Sequence, residues 1–292
     1  MALLNHIVVP VDFSEQSNIA LGQTFNLAHA TNSGITLIYV IDETLLSSVF
    51  NLFSSHDTQE ALLRIGIQTK LNELAKDAEQ TSGLSIDTRI EKGKIYEQIV
   101  KVSEDLHPAF IIMGTNGEST LAKKFMGSNA ARVIKEAHSP VITIKGKTHR
   151  NGCKTIVLPL DFSRETKEKV DKCIEIARFF KSEIRVMSVI DTKDEFLINK
   201  LKRQLDQVVE FISSHQLPVK GEFIEGDNIA EEVIKFAEKV DADLIMIMTQ
   251  QELVWTEFFI GNASQEIINN SEIPVCSIRP IERKDKTEFT TS

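Results

Sequence analysis

The chain has 292 residues, too many for one ordinary compact core and suited to two domains of about 145 residues each. Hydrophobic residues make up 42% and charged residues 26%, which fits a folded globular protein and excludes a disordered or collagen-like one. The net charge of −9 opposes a nucleic-acid backbone or an anionic membrane as main partner, yet leaves room for a local pocket that takes a small anion.

The opening run MALLNHIVVPVD enters a strand directly and lacks a basic leader region, and no apolar run reaches membrane-spanning length. A cytoplasmic setting is expected. Ile7 to Val11 is a short β-branched run of the kind buried on both faces of a parallel sheet. Ser14 stands as N-cap for a helix from Glu15 to Ala30, which Asn32-Ser33-Gly34 terminates. A second strand covers Ile35 to Ile41. A variable stretch and a helix around Thr58 to Gln80 follow, closed by Ser82-Gly83. A strand (Ser85 to Glu91), a helix (Ile95 to Leu106) and a fourth strand (Phe110 to Met113) come next. A long loop then leads into a helix (Asn129 to Ala137) and a fifth strand (Val141 to Ile144). Five more strands are expected near 156–160, 184–190, 219–225, 244–248 and 275–278. Strands alternating with helices predict right-handed crossovers and an α/β fold, its parallel sheet covered on both sides.

The two series are copies. His6 to Ser14 (HIVVPVDFS) aligns with Thr155 to Ser163 (TIVLPLDFS) at an offset of 149, which also sets Ile35–Asp42 on Ile184–Asp191. Further on the offset is 134, setting Ile111–Thr115 on Ile245–Thr249 and Pro140–Ile144 on Pro274–Ile278. The first copy is therefore 15 residues longer in its middle. Domains are expected at 1–146 and 153–281, with a polar linker at 147–152 and a charged, frayed tail at 282–292.

One constellation carries chemistry. The fourth strand empties into Gly114-Thr-Asn-Gly117, and Gly127-Ser128-Asn129 opens the next helix. Glycines let backbone approach a ligand closely, and loop amides with a helix N-terminus make an anion nest. If the strand order is 3-2-1-4-5, the ligand crevice lies between strands 1 and 4, and Asp12 faces that nest as an acceptor for sugar hydroxyls. Asp12 equally suits a structural role beside the first helix's N-terminus, since Asp161 repeats it. The second copy has Met248, Gln251 and Asn262 where the first has Gly114, Gly117 and Ser128. Gly261 persists opposite Gly127, Glu257 replaces Lys123, and Asp161 and Val189 remain. An acceptor without a nest is half a site, so the second copy is expected to stabilise the first.

These residues resemble the universal stress protein family, in both halves and over essentially the whole chain. The family's nucleotide-binding members carry G-x2-G-x9-G-[ST], and Gly114, Gly117, Gly127 and Ser128 match it without a gap. Asp12 and Val40 look like the family's adenosine-side contacts. The resemblance implies two tandem Rossmann-like domains of the adenine nucleotide alpha hydrolase-like type, each a five-stranded parallel sheet of order 3-2-1-4-5. It also implies ATP in the crevice, with or without Mg2+, dimerisation through the fifth strand and a stress-linked regulatory role.

Several other features have duller readings. Lys123 and Lys124, like Lys92 and Lys94, are more often solvent-facing than phosphate-binding. The three cysteines, with no CxxC pair, read as small buried hydrophobes, and the seven histidines show no metal-binding spacing. The apolar Leu45 to Phe53, absent from the second copy, is either a helix over the crevice or a partner surface. No P-loop or metal-holding carboxylate set accompanies the glycine loop, so slow ATP hydrolysis is open but dedicated turnover is not indicated. The fifth strands, Val141–Ile144 and Val275–Ile278, would be bare apolar edges unless paired antiparallel across a pseudo-twofold, as a single chain imitating a dimer. A nucleotide-independent scaffold, an ATPase or autokinase, an unknown protein partner and a further homodimer are the remaining alternatives.

Overall fold

A computed structural model describes residues 6–43, 56–115, 126–146, 150, 152–162, 166–249 and 262–280. The first half runs β1 (His6–Pro10), α1 (Glu15–Thr31), β2 (Gly34–Asp42), α2 (His56–Ser82), β3 (Ile86–Gly93), α3 (Ile95–Leu106), β4 (Phe110–Gly114), α4 (Ser128–Glu136) and β5 (Val141–Ile144). The second runs β6 (Thr155–Pro159), α5 (Thr166–Phe180), β7 (Glu183–Ile190), α6 (Glu195–Ser214), β8 (Val219–Glu225), α7 (Ile229–Lys239), β9 (Leu244–Met248), α8 (Asn262–Asn270) and β10 (Val275–Ile278).

The strands form one ten-stranded sheet in the order β3-β2-β1-β4-β5-β10-β9-β6-β7-β8, so each half repeats 3-2-1-4-5. Neighbours within a half are parallel, whereas β5 and β10 pair antiparallel, with Ile142 opposite Cys276. Each fifth strand thus covers the other's edge, which removes two apolar edges at once. Ile7, Val8 and Val9 are wholly buried, as a strand with helices on both faces must be.

One apolar layer joins α1, α2, α5 and α6 to the sheet, through residues such as Leu27, Leu71, Ile174 and Ile212. The opposite layer takes α3, α4, α7 and α8, through Ile99, Val133, Phe236 and Ile268. Both layers run through both halves. Phe110 of β4 stacks on Phe180 of α5 at 5.4 Å between centroids, which locks the halves along the first layer. Arg150 adds a polar lock there. Its backbone exchanges hydrogen bonds with the Gln23 side chain of α1 while its guanidinium lies 3.0 Å from Asp241.

The three thiols are buried, and burial pushes Cys153 up to about 12 and Cys173 and Cys276 upward as well, so they behave as apolar filling. No described helix is long and apolar enough to cross a membrane.

Candidate functional site

The expected crevice lies where the strand order reverses. β1 is flanked by β2 and β4, both parallel to it, with Val8 opposite both Thr36 and Ile111. α1 packs on one face of the sheet and α4 on the other, so β1 and β4 send the chain to opposite sides at their carboxyl ends, the arrangement that makes a ligand crevice in such sheets.

Asp12 is set at one lip of that crevice by a chain of local bonds. Val11 N–H donates to Ile38 O at 2.9 Å and extends the ladder past Pro10. Asp12 Oδ1 then accepts from Ser14 N–H at 3.1 Å, folding the chain so that Phe13 takes a left-handed φ of 65°. Ser14 caps α1 by accepting from Ser17 N–H, as its position in the sequence predicts. The structural role of Asp12 is therefore real. A carboxylate offers several acceptor positions, so a structural role and a ligand role are compatible in one side chain.

Val40 is half-buried on β2 and packs against the α3–α4 layer, the layer that also holds Met126 at the start of α4. Tyr39 faces the other way and stacks on Phe13 at 5.0 Å. A hollow of about 440 Å³ lies on that side, between the Phe13–Tyr39 stack and Leu62, Leu63 and Lys70 of α2. It shares Asp12 with the crevice but belongs to the opposite face of the sheet.

At the other lip, Thr115 N–H donates to Ile144 O at 3.1 Å, and Gly127 N–H donates to Thr115 O at 2.8 Å. These bonds hold together the chain leaving β4 and the chain entering α4. Gly127 caps α4 without a side chain, so the N–H groups of Ser128, Asn129 and Ala130 extend from the helix end with no side-chain cap. Ser128 is exposed and Asn129 half-buried. A helix start without a cap, at the mouth of a crevice, is a ready place for an anion. Gly117, Lys123 and Lys124 lie outside the described residues, as do Leu45–Phe53, Gln251, Glu257 and Gly261.

Gly114 has a reason for being glycine that the sequence did not disclose. A Cβ there would stand 2.8 Å from Gln16 Cγ and 3.1 Å from Gln16 O, so the bare Cα admits the first turn of α1. Gln16 uses that proximity to donate to Ile144 O at 2.8 Å. In the second half Met248 occupies this position and is buried in the same α1–α5 layer. The exchange of glycine for methionine is thus a packing difference on the helix side of the strand.

In the second half Phe162, following Asp161 after β6, takes a similar left-handed φ of 55°. It differs one turn into the helix, where Lys169 replaces the buried Ala20. Its ammonium donates to Pro159 O, and burial pushes it down to about 8 against the opposing pull of Asp161.

The universal stress protein family model matches this chain twice, over residues 4–145 and 152–279. The chain belongs to the universal stress protein family. It is 33% identical to one universal stress protein of Methanocaldococcus jannaschii over 143 residues, which is 49% of this chain and 83% of that one. A second from the same organism is 31% identical over 154 residues, covering 48% and 94%. Among solved structures, a universal stress protein of Archaeoglobus fulgidus superposes with a TM-score of 0.75 at 20% identity, covering 94% of this chain and 96% of that one. At that identity the likeness speaks for the fold. The tandem arrangement of two universal stress protein units fits the double family match.

Proposed function

We propose that this tandem universal stress protein is a cytoplasmic nucleotide-sensing regulatory module that binds ATP in its first half only. Residues 1–146 form the sensing domain and 153–281 the supporting one, joined by 147–152 and followed by the tail 282–292. The observation that supports this most is the start of α4, uncapped at Gly127 and tied to Thr115 at the end of β4, the strand that pairs with β1 before Asp12. Amides of the loop and of Ser128 and Asn129 would hold phosphate oxygens, with Gly114 and Gly117 shaping the loop. Asp12 would accept from the ribose hydroxyls, and Val40 would border the adenine. The family's G-x2-G-x9-G-[ST] pattern, intact here and broken in the second half, supports placing the ligand in one half. Any Mg2+ would arrive with the triphosphate and be held chiefly by its phosphate oxygens, as this ion commonly is.

Binding and release of a nucleotide, without dedicated turnover, suits a module whose surface reports the ligand state to a partner protein. The direct test is mass spectrometry of whatever copurifies with the native protein, repeated on Gly117→Gln. An adenine nucleotide that disappears in the variant is the expected result. A chain that carries no nucleotide, and takes up none when ATP is added, would return the protein to the class of interaction scaffolds.

A further inference from the structure

The start of α4 is held from outside its own half. Met126 N–H, one residue before the capping Gly127, donates to the Asn269 side-chain oxygen at 2.8 Å. Asn269 lies in the last turn of α8, in the second half. Its backbone carbonyl in turn accepts from the ammonium of Lys145, just past β5. One residue of the second half therefore grips the first at two points, on either side of the α4–β5 unit.

Among the described residues the grip is one-sided. The cationic contacts are near-symmetric, because Arg279, the counterpart of Lys145 at the 134-residue offset, donates to Glu136 O at the end of α4 at 3.0 Å. Each cation thus sits at the carboxyl end of the other half's helix, where carbonyls and dipole both favour it. Among the described residues the side-chain acceptor has no such counterpart. The residue at the counterpart of Asn269 is Lys135, whose ammonium can only donate. The half with the degenerate glycine pattern therefore supplies an acceptor that the half with the intact pattern does not return.

We infer that Asn269 is a positioning residue for the first half's nucleotide site: it fixes Met126, and through it the uncapped start of α4, in the geometry that receives phosphate. This rests on the proposed nucleotide reading for its ligand consequence, but the hold on Met126 stands apart from it. Loss of the acceptor leaves a part-buried amide unsatisfied and lets the helix start shift, and either effect weakens anion binding.

Asn269→Leu removes the acceptor and keeps the backbone bond from Lys145, and Asn269→Asp keeps an oxygen acceptor. Two readouts are needed on the full-length chain: amide hydrogen exchange at Met126 and ATP affinity by calorimetry. With Asn269→Leu, exchange at Met126 accelerates at least about tenfold while β3 and α7 amides stay unchanged, and ATP binds about fivefold to tenfold more weakly. Asn269→Asp restores the protection at Met126. Unchanged exchange at Met126 in the leucine variant overturns the hold. Faster exchange with unchanged ATP affinity overturns the link to the ligand site. Should the parent protein bind no ATP, the nucleotide reading falls, and the exchange at Met126 alone then decides whether Asn269 holds the helix start.

Discussion

The two halves share a backbone and differ in what stands at the strand ends. After β1 and after β6 an Asp is followed by a Phe with a left-handed φ, 65° in one half and 55° in the other. After β4 and after β9 the first backbone bond is also the same, Thr115 N–H to Ile144 O and Thr249 N–H to Ile278 O. Besides the 15 extra residues in the middle of the first half, what separates them is local: Gly114 against Met248, Ala20 against Lys169, Gly117 against Gln251. A repeated feature that survives in the half with the broken pattern is part of the scaffold. Asp12 and Phe13 belong there first, whatever else Asp12 does. Only a feature confined to one half can account for a ligand confined to one half.

The comparison breaks most sharply at Gly117. Gly117→Gln gives the first half the second half's residue, and ATP affinity measured by competition should fall roughly hundredfold, equivalent to about 3 kcal/mol. Unaltered affinity would remove the main difference between the halves.

The seam between the halves gives the next largest effect. A Cβ on Gly146 would fall inside the contact distance of Glu272 O, a backbone atom of the other half with little freedom to yield. Gly146→Ala should therefore destabilise the chain by about 2 kcal/mol in urea unfolding. A neutral result would show that the halves are not closely fitted there.

Lys169 sharpens the contrast from the second half. Burial holds it at about 8 in the folded chain, below its ordinary 10.5, so the unfolded chain binds more protons between those values. Stability should accordingly rise as pH climbs from about 8 to about 10.5. Lys169→Met should abolish that rise and add roughly 2 kcal/mol at neutral pH, read from thermal melts across pH. A flat profile in the parent protein would contradict the desolvated ammonium.

The smallest effect separates the two roles of Asp12. An asparagine side chain still accepts from Ser14 N–H, so Asp12→Asn should change stability by less than about 0.5 kcal/mol while ATP affinity falls about fivefold. Asp161→Asn should leave ATP affinity unchanged, its cost in stability coming only from the charge that no longer offsets the buried Lys169. Equal loss of stability in both variants, with ATP affinity intact, would leave Asp12 a purely structural residue.

Much of this is legible in the sequence because it is written in local chemistry or in the repeat. The β-branched run at Ile7, the cap at Ser14 and the stop at Asn32 each follow from short-range preferences, and the structure has them in place. The antiparallel seam follows from asking what two apolar edge strands would do, and Ile142 does lie opposite Cys276. Gly114 draws notice in the sequence as a ligand-loop glycine, but its close contact with Gln16, almost a hundred residues away, is not signalled by anything nearby in the chain. Asn269 escapes a sequence reading because its partner, Met126, lies in the other half, and an asparagine near a helix end has many ordinary explanations. Lys169 carries a signal that sequence reasoning passed over: the 149-residue offset sets it opposite Ala20, and a lysine at a core-facing helix position is unusual.

Calorimetric titration of the ligand-free chain with ATP tests the division of labour most directly, because it counts sites. One ATP per chain is expected, abolished by Gly117→Gln. Two per chain, or one that survives that substitution, would contradict it.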